Sequence, residues 1–207
     1  MKKGIIFLGI LITVFLTGCS KPCDYTAFNE SKPKSILVLL PENKTANIDA
    51  TNAFFSQLTR PLSEAGYYVF PIAVVEETFY QNGVTVAGEM RNVSTEKLRQ
   101  IFGADAVLYF DINQYGYSYG ILSGAPEVSA SGTLVDLRTG KTLWNNEITV
   151  QGDSTSYFNV LGLLLNRILD NISDKYYPMA GMANSTLFDP ASNRCFMYGQ
   201  RSPLYKG

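Results

Sequence analysis

The sequence predicts an α/β (α+β) fold: a single mixed sheet flanked by helices, with an antiparallel hairpin and a long C-terminal helix. Three features of the chain point to it. The apolar run 35–40 has no polar face, as strands covered on both sides do not, and 67–70 and 106–112 read as two further strands. They alternate with segments whose apolar residues recur at helical spacing, in the order strand, helix, strand, helix, helix, strand, the pattern of an α/β layer. Two stretches of period two then follow, joined by Arg138, Thr139, Gly140 and Lys141, where Gly140 supplies the positive φ of a tight hairpin.

In chain order, the buried strand 35–40 is stopped by Pro41. Residues 47–65 carry Phe54, Phe55, Leu58 and Leu62 at helical spacing, and Gly66 ends that helix. A short strand over 67–70 ends at Pro71, a short helix over 73–81 stops at Asn82 and Gly83, and 84–92 reads as a loop. Ser94 caps a helix that turns Leu98, Ile101 and Phe102 inward and stops at Gly103. The third strand covers 106–112, and the tyrosine- and glycine-rich stretch 114–126 reads as a surface loop. Segments 128–137 and 142–152 are the half-exposed hairpin strands, with Trp144, Ile148 and Val150 on one buried face.

Ser156 caps the long final helix, whose apolar stripe is Phe158, Leu161, Leu164, Leu165, Ile168, Leu169 and Ile172, and Pro178 ends it. Beyond it the chain is irregular but apolar enough to lie against the domain. The expected organisation is a signal peptide over 1–18, a tether over 19–33, one α/β domain over 34–178 and a packed tail over 179–207.

Lys2 and Lys3 precede the apolar run 4–15, and Leu16, Thr17, Gly18 and Cys19 follow. A charged start, a short apolar middle and a small-residue cleavage site make a secretory signal. The run is too short to cross roughly 30 Å of hydrocarbon comfortably. Cleavage leaves Cys19 first, as in bacterial lipoproteins, where the cysteine carries acyl chains such as palmitate; two or more chains anchor firmly. In enterobacterial lipoproteins aspartate at the next position favours the inner membrane. This chain has Ser20, so that similarity implies the outer membrane, with the protein facing the periplasm and surface exposure left open. Cys23 and Cys195 then remain in a compartment that oxidises thiols. An even pair there is expected to bridge, with two free thiols or an intermolecular bond as the alternatives.

Losing the leader removes Lys2 and Lys3, leaving 15 basic against 18 acidic residues, a net of −3. No basic patch for phosphate follows, which argues against nucleic acid as a partner. At 46% hydrophobic and 17% charged, the chain is a folded body rather than a spacer. It has no histidine, so Ser-His-Asp and Cys-His arrangements and histidine metal sites are excluded. Two remaining cysteines are too few for a thiolate zinc site, and neither metal nor cofactor is expected. Glu76 and Glu77 are adjacent and point roughly 100° apart on a helix, a poor catalytic dyad. Gly140, Lys141 and Thr142 look like the end of a phosphate loop, but Val135 stands where the motif needs glycine and a strand follows. Glu127, Asp136 and Glu147 are the carboxylates that the hairpin could gather.

Tyr115, Tyr117 and Tyr119 alternate with Gly116, Ser118 and Gly120, so in an extended segment the three rings share one face. Tyrosine among glycine and serine suits adaptable recognition surfaces, and these three are the candidate partner-binding residues. The alternative is that they cover a sheet edge.

Segments 37–41 (LVLLP), 68–75 (YVFPIAVV), 103–109 (GADAVLY), 134–144 (LVDLRTGKTLW) and 197–205 (MYGQRSPLY) together resemble the family of small outer-membrane lipoproteins that includes a genome-derived meningococcal vaccine antigen. The element DxRTGKxxW also recurs in curli-secretion, penicillin-binding-protein-activator and TolB amino-terminal relatives. The resemblance implies a TolB amino-terminal-like fold, no known enzymatic activity and self-association. It further implies a role in envelope assembly or transport beside a curli-secretion-like lipoprotein, and it brings no catalytic residues. The expected function is therefore a non-enzymatic, lipid-anchored protein that binds protein partners. The alternative is a periplasmic hydrolase or a glycan- or lipid-handling enzyme using Glu127, Asp136 and Glu147.

Overall fold

In the computed structural model, which describes residues 23–119, 124–152 and 176–205, strand β1 (Ser35–Val38) lies between two parallel neighbours. β3 (Tyr68–Val69) flanks it with Ser35 opposite Tyr68, and β4 (Ala106–Tyr119) with Ile36 opposite Ala106. Parallel neighbours need long crossovers. Helices α2 (Asp49–Phe55) and α3 (Thr59–Glu64) fill the first crossover. Helices α4 (Ile72–Gln81), α5 (Ala87–Arg91) and α6 (Thr95–Phe102) fill the second. β5 (Gly124–Asp136) and β6 (Thr142–Gln151) continue antiparallel from β4, giving the order β3-β1-β4-β5-β6. A two-residue strand, β2 (Glu42–Asn43), pairs parallel with Asp111 and Ile112 of β4. The result is one mixed sheet flanked by helices, as the sequence predicts.

The apolar run of β1 is explained by its two covered faces. Ile36 and Val38 enter one core with Phe54, Leu58, Leu62, Phe110 and Ile112. Leu37 and Leu39 enter a second core with Val75, Phe79, Met90, Leu98 and Val107. Each such side chain, fully buried, contributes about 1.5–3 kcal/mol. A further helix, α7 (Tyr176–Leu187), packs into the first core through Ala180, Ala183 and Leu187, and its buried Asn184 donates from Nδ2 to Phe54 O at 2.9 Å. β5 and β6 bury Val128, Ala130, Leu134, Trp144 and Ile148 in that same first core.

The local signals behave as expected where backbone chemistry is decisive. Ser94 Oγ accepts from Lys97 N at 3.2 Å, Gly103 ends α6 at φ +68°, and Gly140 turns the β5–β6 hairpin at φ +69°.

Six readings need correction. Residues 47–65 form two helices rather than one, because Pro61 has no N–H to donate to Gln57 in a continuous helix; the break is a turn with Gln57 N bonded to Phe54 O. Stretch 84–92 contains α5, which buries Ala87 and Met90. Ile101 is 46% exposed, so α6 turns Leu98 fully inward but not Ile101. Of the supposed loop 114–126, residues 114–119 and 124–126 are strand: β4 and β5 stay paired out to Tyr119 opposite Gly124, across a register shift at Asn113. Part of the supposed tether is helix α1 (Thr26–Ser31), whose Phe28 is buried edge-on against Phe196. Pro178 lies inside α7, which continues past it to Leu187, so it does not end a helix. The stripe over 156–172 lies outside the described residues. After α7 the tail is irregular, and Phe188 and Phe196 are core residues.

Candidate functional site

Beyond Ile112, β4 runs past its parallel neighbours. β1 pairs only with Ala106, Val107 and Leu108, and β2 only with Asp111 and Ile112. From residue 113 to 119 one edge of β4 bonds to β5, and among the described residues no strand covers the other edge.

The chain from Lys44 to Ile48 flanks that edge and is held by its own polar side chains. Asn43 Oδ1 accepts from Thr45 N at 2.9 Å and Thr45 Oγ1 at 2.8 Å, while Asn43 Nδ2 donates to Asn47 O at 2.7 Å. Asn47 Oδ1 accepts from Asp49 N at 2.9 Å. These are turns in which a side-chain oxygen stands in for a carbonyl. They display Ile48 at 86% exposure, beside a groove of about 610 Å³ shared with Asn113, Gln114 and Tyr117.

Charge fixes the base of the groove. Arg91 pairs with Asp111, lies 3.3 Å from Glu42 and donates to Phe110 O at 3.0 Å, tying α5 to β2 and β4. Lys44 Nζ adds a contact to Asp111 at 3.5 Å. The spacing Asn43-x-Thr45-x-Asn47 was a legible turn signal in the sequence, but a partner strand for Glu42 and Asn43 was not.

The three tyrosines do not share one surface. Tyr115 is buried against Phe54 and Tyr176, with ring centroids 6.2 Å and 5.4 Å away. Tyr117 is 43% exposed at the groove. Tyr119 is the last paired residue of β4, and its side chain lies outside the description. The ring at 115 is therefore a core residue, because Phe54 of α2 and Tyr176 of α7 pack against it.

The three carboxylates of the enzymatic alternative stay apart. Glu127 accepts from Gln151, Glu147 stands opposite Ser131, and Asp136 lies at the far end opposite Ala106. At about 3.3 Å per residue the steps from 127 to 131 and from 131 to 136 are roughly 13 and 16 Å. Burial pushes the Asp136 carboxyl up, but Ser31 Oγ, the Arg138 guanidinium and the N–H groups of Thr139 and Arg138 outweigh it and hold its pKa at about 2. It is an anchor for the hairpin turn. Among the described residues there is no group of three or more potential metal ligands and no helix long and apolar enough to cross a membrane. Cys19 lies outside the described residues.

Cys23 and Cys195 form an intramolecular disulfide with Cα atoms 5.4 Å apart. It joins the segment leading into α1 to the C-terminal tail, 172 positions away. The free-thiol and intermolecular alternatives fall away.

A mixed sheet between two cores, its amino-terminal segment bolted to its tail, with a groove along a β4 edge that no described strand covers, defines an α+β domain. The chain belongs to the GNA1162-like lipoprotein family, whose sequence pattern matches residues 23–201. It is 42% identical over 205 residues to lipoprotein NMB1124/NMB1162 of Neisseria meningitidis serogroup B, covering 95% of each chain. The crystal structure of lipoprotein GNA1162 from Neisseria meningitidis superposes with a TM-score of 0.56 at 48% identity, over 68% of this chain and 98% of that one. A PelC dodecamer from Paraburkholderia phytofirmans shares the fold alone, with a TM-score of 0.50 and 16% identity over 82% of this chain and 92% of that one. The family resemblance read from the sequence segments is correct.

Proposed function

We propose that this chain is a non-enzymatic lipoprotein, acylated at Cys19 and held to the outer membrane facing the periplasm, whose β4 edge takes a strand or loop from a protein partner. The carrying observation is the edge from 113 to 119, with the ordered turn beside it that holds Ile48 in water. An uncovered strand edge is a template for pairing with another chain, and main-chain hydrogen bonds provide much of the affinity of such additions. Partners of this kind include a second copy of the chain and a curli-secretion-like envelope lipoprotein of an assembly or transport system. The carboxylates of the hydrolase reading are too far apart to act together, so the alternative has no observation behind it.

A photo-crosslinking residue in place of Ile48, in the full lipidated protein in intact envelopes, tests the reading. A matched probe replaces Tyr80, which is 67% exposed on α4 over the second core. Discrete adducts from position 48 and none from position 80 are expected, and the adducts should fade when Tyr117→Ser is added. Equal background from both positions would refute partner binding at this edge. Cys19→Ala should abolish palmitate incorporation and release the protein from the membrane fraction; retention of either would refute the anchor.

A further inference from the structure

We infer that the aromatic groove beside the disulfide is a membrane-contact face, resting on lipid headgroups around the protein's own anchor. Its lining includes Tyr25, Phe196, Met197, Tyr198, Leu204 and Tyr205, around about 560 Å³ of open space. The inference rests on acylation of Cys19.

Covalent geometry supplies the first argument. Cys23 follows Cys19 by four positions, which span about 14 Å at full extension. The acylated cysteine sits at the membrane surface, so Cys23 cannot leave it by more than that. The disulfide then holds Cys195 beside Cys23, and Phe196, Met197 and Tyr198 follow directly. Tyr25 is two positions from Cys23 on the other strand of the clamp. The groove is thus leashed to the headgroup layer from both of its sides.

Its chemistry matches that location. Tyrosine is enriched where a membrane meets water, because the ring enters the apolar boundary while the hydroxyl stays wet. Here three tyrosines share a groove with Met197, Pro203 and Leu204, and Leu204 is 59% exposed. Lys32 and Arg201 lie alongside: Gln200 Nε2 donates to Lys32 O at 3.0 Å, and the Arg201 guanidinium stands 5.3 Å from the Tyr68 ring centre. Both cations are exposed and suited to anionic headgroups. Of the acidic neighbours in the chain, Asp24 and Asp189 keep their charge and accept from Thr26 N and Ala191 N, and Glu30 pairs with Lys141.

The groove is also rigid. Tyr67 Oη donates to Met197 O at 2.8 Å, and Gly199 N donates to Ala65 O at 2.8 Å. The tail approaches α3 so closely that a Cβ on Gly199 would meet Gly66 O at 2.5 Å. A fixed apolar face loses little conformational freedom on contact.

The test uses the full lipidated chain in vesicles of phosphatidylethanolamine and phosphatidylglycerol, with Leu204→Trp as the reporter and Tyr80→Trp as the control. The wild-type signal from buried Trp144 is subtracted. On vesicles the Leu204→Trp emission should shift to the blue relative to the same variant freed by Cys19→Ala. Lipids brominated near the glycerol end of their chains should quench it, while Tyr80→Trp stays unshifted and unquenched. A protein that floats with the vesicles but leaves Leu204→Trp unquenched overturns this inference and spares the anchor. A blue shift without bromolipid quenching means that protein covers the groove, and overturns it too. A wild-type chain that does not float overturns the anchor and the inference together.

Discussion

Asp136 offers the sharpest test of how the fold is held at its hairpin. Its side chain is buried, and its carboxyl, ordinarily near 3.8, is held at about 2 by Ser31, Arg138 and Thr139. A group whose folded pKa is depressed stabilises the protein above its unfolded pKa and loses that contribution as pH falls through the folded value. The window therefore runs from about pH 4 down to about pH 2. At 1.36 kcal/mol per unit, the shift from 3.8 to about 2 corresponds to about 2 kcal/mol at neutral pH.

Asp136→Asn keeps the size, removes the charge and presents an amide N–H₂ to donors that expect an acceptor. Breaking a buried charged contact is costly, and the expected loss at pH 7 is about 2–4 kcal/mol. Other carboxylates titrate in the same range, so the comparison is the difference between wild type and variant. Urea unfolding of both in the Cys19→Ala background, at pH 7, 5, 4, 3 and 2.5, supplies that difference. It should be constant from pH 7 to 5 and shrink below pH 4. A gap under about 1 kcal/mol at pH 7, or one that is unchanged at pH 2.5, would refute the account of Asp136 as a charged anchor.

Trp144 is 5% exposed, stacked among Phe188 and Phe196, and donates from Nε1 to Arg194 O at 2.7 Å. Trp144→Ala should cost about 3–5 kcal/mol. Iodide-quenchable emission from this sole tryptophan in the wild type would contradict its burial. A Cβ on Gly132 would stand 2.9 Å from the Trp144 ring, so Gly132→Ala should cost about 1–3 kcal/mol, and thermal melts should find much of that relieved by Trp144→Leu. Reducing the bridge between Cys23 and Cys195, 172 positions apart, removes a loop constraint of up to about 5 kcal/mol; melting temperature should fall, and an unchanged melt would count against it. Tyr115→Ser should lower the melting temperature more than Tyr117→Ser, whose ring is 43% exposed, while Tyr117→Ser weakens crosslinks from position 48.

Elements with strong local chemistry were legible along the chain. The capped helix from Ser94 to Gly103, the double-faced strand at 35–38 and the Gly140 hairpin each depend on neighbours within a few residues. The motif DxRTGKxxW is now physically plain: Asp136 caps its own turn, Gly140 closes it, and Trp144 plugs the core beneath the tail. The stretch 114–126 misled because glycine and serine lower strand propensity locally, while pairing with β5 across the whole register overrides it. Pro61 and Pro178 were equally ambiguous, since a proline's effect depends on its position within a helix whose ends lie elsewhere.

The sequence by itself determined the family, the fold class, the exclusion of histidine chemistry and the expectation of an amino-terminal lipid anchor, because those rest on residue identity and short-range periodicity. Only the tertiary structure decided that Cys23 meets Cys195, that Tyr115 is core while Tyr117 is surface, and that Glu127, Asp136 and Glu147 never converge. Those outcomes depend on strand register and on Phe54 of α2 and Tyr176 of α7 meeting Tyr115, contacts between residues many tens of positions apart. A period-two pattern places side chains on a face, but which face is covered, and by what, is settled by the rest of the fold.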